Sequence, residues 1–211
     1  LITSFSDKKY PVVVIDYPVS YYGSQTKDQA CGKHYKTMTD EEIFNLPVRD
    51  VLLPKSILFV WATGPKLDVA IEAIKRWNLY YRGIAFDWCK TTQDGKPING
   101  QGGRPSLIKH AGELVLWASP QARGRPLPIK DEGMESWVFE PRPDNVHSRK
   151  PETVQDRIEQ LLDGPYLEIF ARRRRPGWDA FGDELEKEWS CTCSQMSYPC
   201  DFCANGGNRD T

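Results

Sequence analysis

Pro11-Val12-Val13-Val14-Ile15-Asp16 is the stretch on which the architecture turns. It is continuously apolar and then stops at a carboxylate. A strand with one wet face alternates polar and apolar residues. An unbroken run is instead expected of a strand covered on both faces, as in a parallel sheet between helices. Working outward, further strands are predicted over 57–61, 84–89, 114–117 (entered from Glu113), 136–139 and 166–170. Two helices lie between them. Over 66–77 the apolar residues Leu67, Ala70, Ile71, Ile74 and Trp77 share one face of a 3.6-residue period. Over 151–162 the stripe is Val154, Ile158, Leu161 and Leu162, with Pro151 suited to the first turn and Gly164-Pro165 to a stop. A weaker helix covers 40–46. Strands alternating with helices predict an α/β domain with a mainly parallel sheet.

Two connections, 90–112 and 119–135, are long and rich in Gly, Pro and basic residues. Loops of that size in a compact domain are usually functional or disordered. In an open α/β sheet, ligands sit beyond the carboxyl ends of the strands. Asp16, Lys90 and Ser119, each at or just past a candidate strand end, therefore mark the expected working edge.

The 211 residues, 39% hydrophobic and 27% charged, suit a soluble globular protein. A formal net charge of -1 carries no signal for a free-standing nucleic-acid binder, which is usually plainly basic. Charge is segregated, however: Arg172, Arg173, Arg174 and Arg175 form a block, and Glu184, Glu186 and Glu188 follow. Any nucleic-acid contact is expected to be local or shared with a partner. The opening LITSFSDKKY has no initiator Met and no apolar signal core, so the chain is expected to begin inside a longer protein. Pro54 and Lys55 interrupt the best apolar run, 51–62, so no bilayer span is expected, and the protein is read as soluble and intracellular.

Cys31 and Cys89 are isolated and read as free thiols, buried or partly so. Cys191-x-Cys193 and Cys200-x-x-Cys203, six residues apart, set residues 189–211 off as a Cys-rich tail after a domain of residues 1–188. Four thiolates can saturate one tetrahedral zinc. The other reading is a structureless tail, which Asn205-Gly206-Gly207-Asn208 favours.

Alone, Asp16-Tyr17-Pro18-Val19 reads as a turn or helix cap. The segments after it, in order, change that. His34-Tyr35-Lys36-Thr37-Met38 precedes an Asp-Glu-Glu helix, and Leu58-Phe59-Val60-Trp61 leads into the first long helix. Trp88-Cys89-Lys90-Thr91 opens the Gly-rich loop, and His147-Ser148-Arg149-Lys150-Pro151 opens the second long helix. Phe170-Ala171-Arg172 and Arg175-Pro176-Gly177-Trp178-Asp179 close the series. From about residue 12 to 185 this series resembles the adenine-N6 methyltransferases of the mRNA-writer type and their ciliate and bacterial relatives. The resemblance implies a Rossmann-like methyltransferase fold and S-adenosylmethionine as cofactor.

In active members of that family the first motif reads Asp-Pro-Pro-Trp. The exocyclic nitrogen of adenine is a poor nucleophile because its lone pair is delocalised. The Asp carboxylate and a neighbouring carbonyl accept its N–H groups and pose it for in-line attack, while the aromatic ring stacks on the base. Here Tyr17 replaces the first proline, placing a phenol at the expected pocket mouth, and Val19 replaces the tryptophan. Together the changes predict a degenerate motif (Asp16, Tyr17, Pro18, Val19), although Tyr21 or Tyr22 offers another ring.

By resemblance, Lys150 holds the amino-acid end of the cofactor, with Asp16 beside it. Asp183 and Glu184 stand where the family has the residues for ribose and adenine. The other reading of Lys150 and Asp183 is plain surface charge. Arg104, Lys109, Arg123 and Arg125, with Arg172 to Arg175, are the candidate phosphate contacts. Trp117, Trp137 and Trp178 are expected in the core or against a partner.

The expectation is therefore a non-catalytic, nuclear methyltransferase-like subunit with weak or absent cofactor binding. It would pair as a heterodimer with an active relative and support nucleic-acid binding, DNA ahead of RNA. Two alternatives stand beside it: an active adenine-N6 methyltransferase with a variant motif, and a zinc-dependent interaction domain without methylation.

Overall fold

The computed structural model of the chain describes residues 2–19, 37–98, 107–108, 110–141, 149–183 and 185. Seven strands form one sheet: β1 (Tyr10–Ile15), β2 (Leu52–Ala62), β3 (Tyr80–Thr91), β4 (Gly112–Ser119), β5 (Trp137–Pro141), β6 (Tyr166–Ile169) and β7 (Trp178–Phe181). Three α-helices accompany them: α1 (Asp40–Phe44), α2 (Leu67–Arg76) and α3 (Glu152–Leu161). The strand order is β5-β3-β4-β2-β1-β6-β7, and among the described strands only β4 runs antiparallel to its neighbours. The mainly parallel α/β reading holds, and the fold is that of a Rossmann-like methyltransferase.

The unbroken apolar run of β1 has the predicted cause. Val13 and Ile15 pack into one core cluster with Ala70, Ala73 and Ile74 of α2. Val12 and Val14 pack into the other, with Val154 and Ile158 of α3. Each buried aliphatic side chain contributes roughly 1.5–3 kcal/mol, so β1 anchors both layers at once. β1 lies between β2 and β6, both parallel to it. The sheet order therefore reverses at β1, which opens a crevice at its carboxyl end.

The differences from expectation have physical reasons. β2 begins five residues early, because Leu53, Pro54 and Lys55 extend beyond the core with exposed side chains. β3 begins four residues early and runs on through Lys90, which lies within a strand rather than after one. β7 is a four-residue edge strand with a single buried side chain, Trp178, too little periodicity to read from sequence. α1 is short and held by local chemistry: Thr39 and Glu42 form a reciprocal capping box. Trp178 is buried and Trp117 half-buried, whereas Trp137 is exposed on the edge strand, which leaves the partner-facing reading open to it alone. Cys89 is half-buried and free, whereas Cys31 lies outside the described residues. No helix among the described residues is long and apolar enough to cross a membrane.

Candidate active site

Ends of β1, β2, β3, β4 and β6 and the entry to α3 converge on the crevice. Asp16 follows β1, and its backbone N–H donates to the Ile169 carbonyl of β6 at 3.3 Å. Lys150 lies just before α3. Glu113 is the second residue of β4, and because β4 is antiparallel its start lies beside Ala62 at the end of β2. Lys90 is the penultimate residue of β3.

These side chains form one chain of ion pairs. Lys150 Nζ is 3.0 Å from Asp16 Oδ1 and 3.0 Å from Glu113 Oε2. Lys90 Nζ donates to Glu113 Oε1 at 2.6 Å. Each ammonium also lies over an indole: Lys150 5.2 Å from the Trp61 ring centre, Lys90 4.7 Å from that of Trp88. All four charged side chains are 20% exposed or less. Burial alone would raise the Glu113 carboxyl, but Lys150 and then Lys90 outweigh it and hold it at about 2. Burial likewise opposes the charge on Lys150, yet Asp16 and Glu113 together push its pKa up.

A second carboxylate on the other side behaves oppositely. Glu168 on β6 lies beside Val14 of β1, and its Oε2 accepts from Gln155 Nε2 of α3 at 2.8 Å. Burial pushes this carboxyl up to about 7. The Gln155 hydrogen bond opposes that rise, the Asp16 charge adds to it, and Arg173 and Arg175 oppose it.

Tyr17 of the motif has two sides: the residue lines the cavity next to Asp16, and its ring reaches into the core. It is 6% exposed and packs edge-on against Trp77 in the α2-side core, centroids 6.1 Å apart. Apolar surface next to a strand end is drawn into the core, and α2 offers an aromatic partner there. Pro18 accepts from the Met38 N–H at 2.8 Å, and Val19 pairs with Met38 in an isolated parallel bridge. A narrow cavity of about 50 Å³ is lined by the whole motif, Asp16 to Val19, together with Lys66, Glu113, Lys150 and Arg172.

Other predicted site residues fall elsewhere. Arg173 is tied to Glu152 and to Gln155 Oε1 (2.9 Å), and Arg175 to Asp156 (2.5 Å) and Glu159 (2.7 Å), so both are neutralised by the acidic face of α3. Arg174 is exposed, and Arg172 alone of the block lines the cavity. Arg123 is exposed, and Arg125 pairs with Glu132 at 3.0 Å on the surface. Asp183 is exposed just past β7. Arg104, Lys109, Glu184 and the four cysteines Cys191, Cys193, Cys200 and Cys203 lie outside the described residues. Among the described residues no group of three or more His, Cys, Asp or Glu could hold a metal.

The sequence marks Lys90 at the working edge but assigns no site role to Glu113, Trp61, Lys66 or Glu168. The available signal was a charged residue at the very end of an apolar strand run, which Lys90 and Glu113 both show.

Comparison with known proteins agrees with this geometry. The chain is 27% identical to the type II methyltransferase M.MunI of Mycoplasma sp over 197 residues, covering 84% of this chain and 78% of that protein. It is 26% identical to the human N(6)-adenine-specific methyltransferase METTL4 over 200 residues, 85% of this chain and 38% of that protein. It is 28% identical to the human N(6)-adenosine-methyltransferase catalytic subunit METTL3 over 155 residues, 72% of this chain and 25% of that protein. The chain thus spans much less than half of the two human proteins. The MT-A70 profile matches residues 10–184, the whole of the sheet and its helices. With the crevice at β1 and this match together, the chain belongs to the MT-A70 family of adenine-N6 methyltransferases.

Proposed function

We propose that the crevice binds S-adenosylmethionine and presents Asp16 to an adenine amino group of a nucleic acid, DNA in preference to RNA. The observation that carries this reading is the Asp16–Lys150 pair, opposite charges 3.0 Å apart at the carboxyl end of β1. The cofactor of this family is S-adenosylmethionine, whose amino-acid end carries one ammonium and one carboxylate. Lys150 complements the carboxylate and Asp16 the ammonium, so the donor set fits. When bound, the cofactor supplies an electrophilic methyl group. Glu113 and Lys90 fix Lys150 from behind, and the Trp61 ring sets its approach. Asp16 also accepts an N–H of the base, which orients the nitrogen lone pair. Two departures from the family motif remain, Tyr17 for a proline and Val19 for the stacking tryptophan. Losing a stacking ring costs about 1–3 kcal/mol of base binding, which weakens base capture without removing the acceptor.

A second reading keeps the chain as a non-catalytic subunit paired with an active relative. It is supported by Val19 and by Trp137 and Phe139, exposed by 55% and 65% and stacked 6.3 Å apart on the edge strand β5. Titration with S-adenosylmethionine, then methyl transfer to adenine-containing DNA and RNA oligonucleotides, separates the two. Cofactor binding with transfer lost in Asp16→Ala is the expected result. Cofactor binding without transfer would favour the paired subunit, and the absence of binding would sink the first reading.

A further inference from the structure

The crevice holds a second buried lysine that the cofactor does not need. Lys66 closes the turn between β2 and α2, and its side chain is 6% exposed. Lysine is almost never buried so deeply unless it is paired. Its Nζ donates to Asp40 Oδ1 at 2.9 Å and Oδ2 at 3.2 Å, at the start of α1. Yet Lys66 also lines the cavity beside Asp16 and Val19. Lys66 thus shares one cavity wall with Lys150 and Arg172, within reach of whatever Asp16 faces, while Asp40 answers its charge.

We propose that Lys66 is a phosphate-binding residue, which contacts the nucleic-acid backbone beside the adenine presented to Asp16. The inference rests on the proposed function. Every nucleotide entering the crevice brings a phosphate with it, and lysine serves as a point charge for such groups. Asp16 and Lys150 already match both charges of the cofactor's amino-acid end, which leaves Lys66 for the substrate. The contact also has a physical motive: Val19 offers no ring for stacking, so the backbone must supply more of the affinity. In this arrangement Asp40 is a competitor. It holds the ammonium in place until a phosphate shares it.

That competition gives the test. Lys66→Met, Lys66→Arg and Asp40→Asn are compared in the full chain. Affinity for a short adenine-containing single-stranded DNA is read by anisotropy over a series of salt concentrations. Affinity for S-adenosylmethionine is read by calorimetry, and folding by thermal melting. Lys66→Met should weaken oligonucleotide binding roughly tenfold and lower the salt slope by about 0.7. Lys66→Arg should keep the slope. Asp40→Asn should tighten oligonucleotide binding, and cofactor affinity should stay put in all three. If Lys66→Met and Asp40→Asn both lower the melting temperature but leave oligonucleotide affinity and slope unchanged, Lys66 is only a structural ion pair. If Lys66→Met weakens the cofactor and spares the oligonucleotide, the anion is the cofactor's carboxylate. Either result overturns the proposal. A wild-type chain that binds no oligonucleotide at any salt overturns the proposed function along with it.

Discussion

Two largely buried glutamates flank Asp16, and they differ in nearly everything except their side chain. Glu113, on the β4 side, has an ammonium on each oxygen and titrates at about 2. Glu168, on the β6 side, has a neutral carboxamide and titrates at about 7. Burial raises the pKa of both. The partner decides the outcome: two cations overturn the desolvation penalty, whereas one amide hydrogen bond and more distant arginines do not. One wall of the crevice is therefore locked in charge across the physiological range, and the opposite wall can take up or release a proton within it.

Breaking the locked wall should have the largest effect. Lys150→Met leaves the Asp16 and Glu113 carboxylates facing each other in a poorly solvated site. It should destabilise the fold by roughly 3–5 kcal/mol and abolish cofactor binding, as read by denaturant melts and calorimetry.

Glu113→Gln comes next, at roughly 3 kcal/mol near neutral pH. Because the folded pKa is depressed from 4.5 to about 2, its stabilisation is present above about pH 4.5 and is lost as pH falls through about 2. The stability–pH curve of the variant should lack that acid limb.

Glu168→Gln should act with the opposite sign. Its folded pKa is raised, so the wild type keeps its full stability below about pH 4.5 and loses some as pH rises through about 7. Above pH 7 the variant should be the more stable protein, by roughly 1–2 kcal/mol. A variant less stable than wild type at pH 8 would show that Glu168 is held ionised after all.

The smallest effect sharpens the comparison. Gln155→Met removes the hydrogen bond to Glu168 at a cost of about 1 kcal/mol. It should move the carboxyl titration above 7, measurable by carboxyl-resolved NMR.

Much of the fold was legible because it depends on one-dimensional patterns. The β1 run and the stripes of α2 and α3 are periodicities, and the structure places them where expected. Asp16 and Lys150 were legible through resemblance, and the geometry brings them within 3.0 Å. The remainder depends on three-dimensional facts. Glu113 reaches the site only because β4 runs backwards, and no local pattern encodes strand direction. That the Tyr17 ring packs on Trp77 while the residue lines the cavity is not legible locally, because Trp77 lies sixty residues away in sequence. Arg173 and Arg175 read as phosphate ligands until the i, i+4 and i+7 carboxylates Glu152, Asp156 and Glu159 line up on α3 beside them.

The Lys90–Glu113 pair has a consequence beyond charge. Residue 89 pairs with residue 112, and the Lys90 N–H donates to the Ala111 carbonyl at 3.2 Å, so β3 and β4 are fastened where residues 92–111 leave and return. An excursion clasped at its neck is mechanically separate from the strands that hold it. Doubling its length adds only about 0.6 kcal/mol of closure entropy, and the clasp does not register the change. The segment can therefore be lengthened, shortened or exchanged as a cassette while the ion pairs at the strand ends stay as they are.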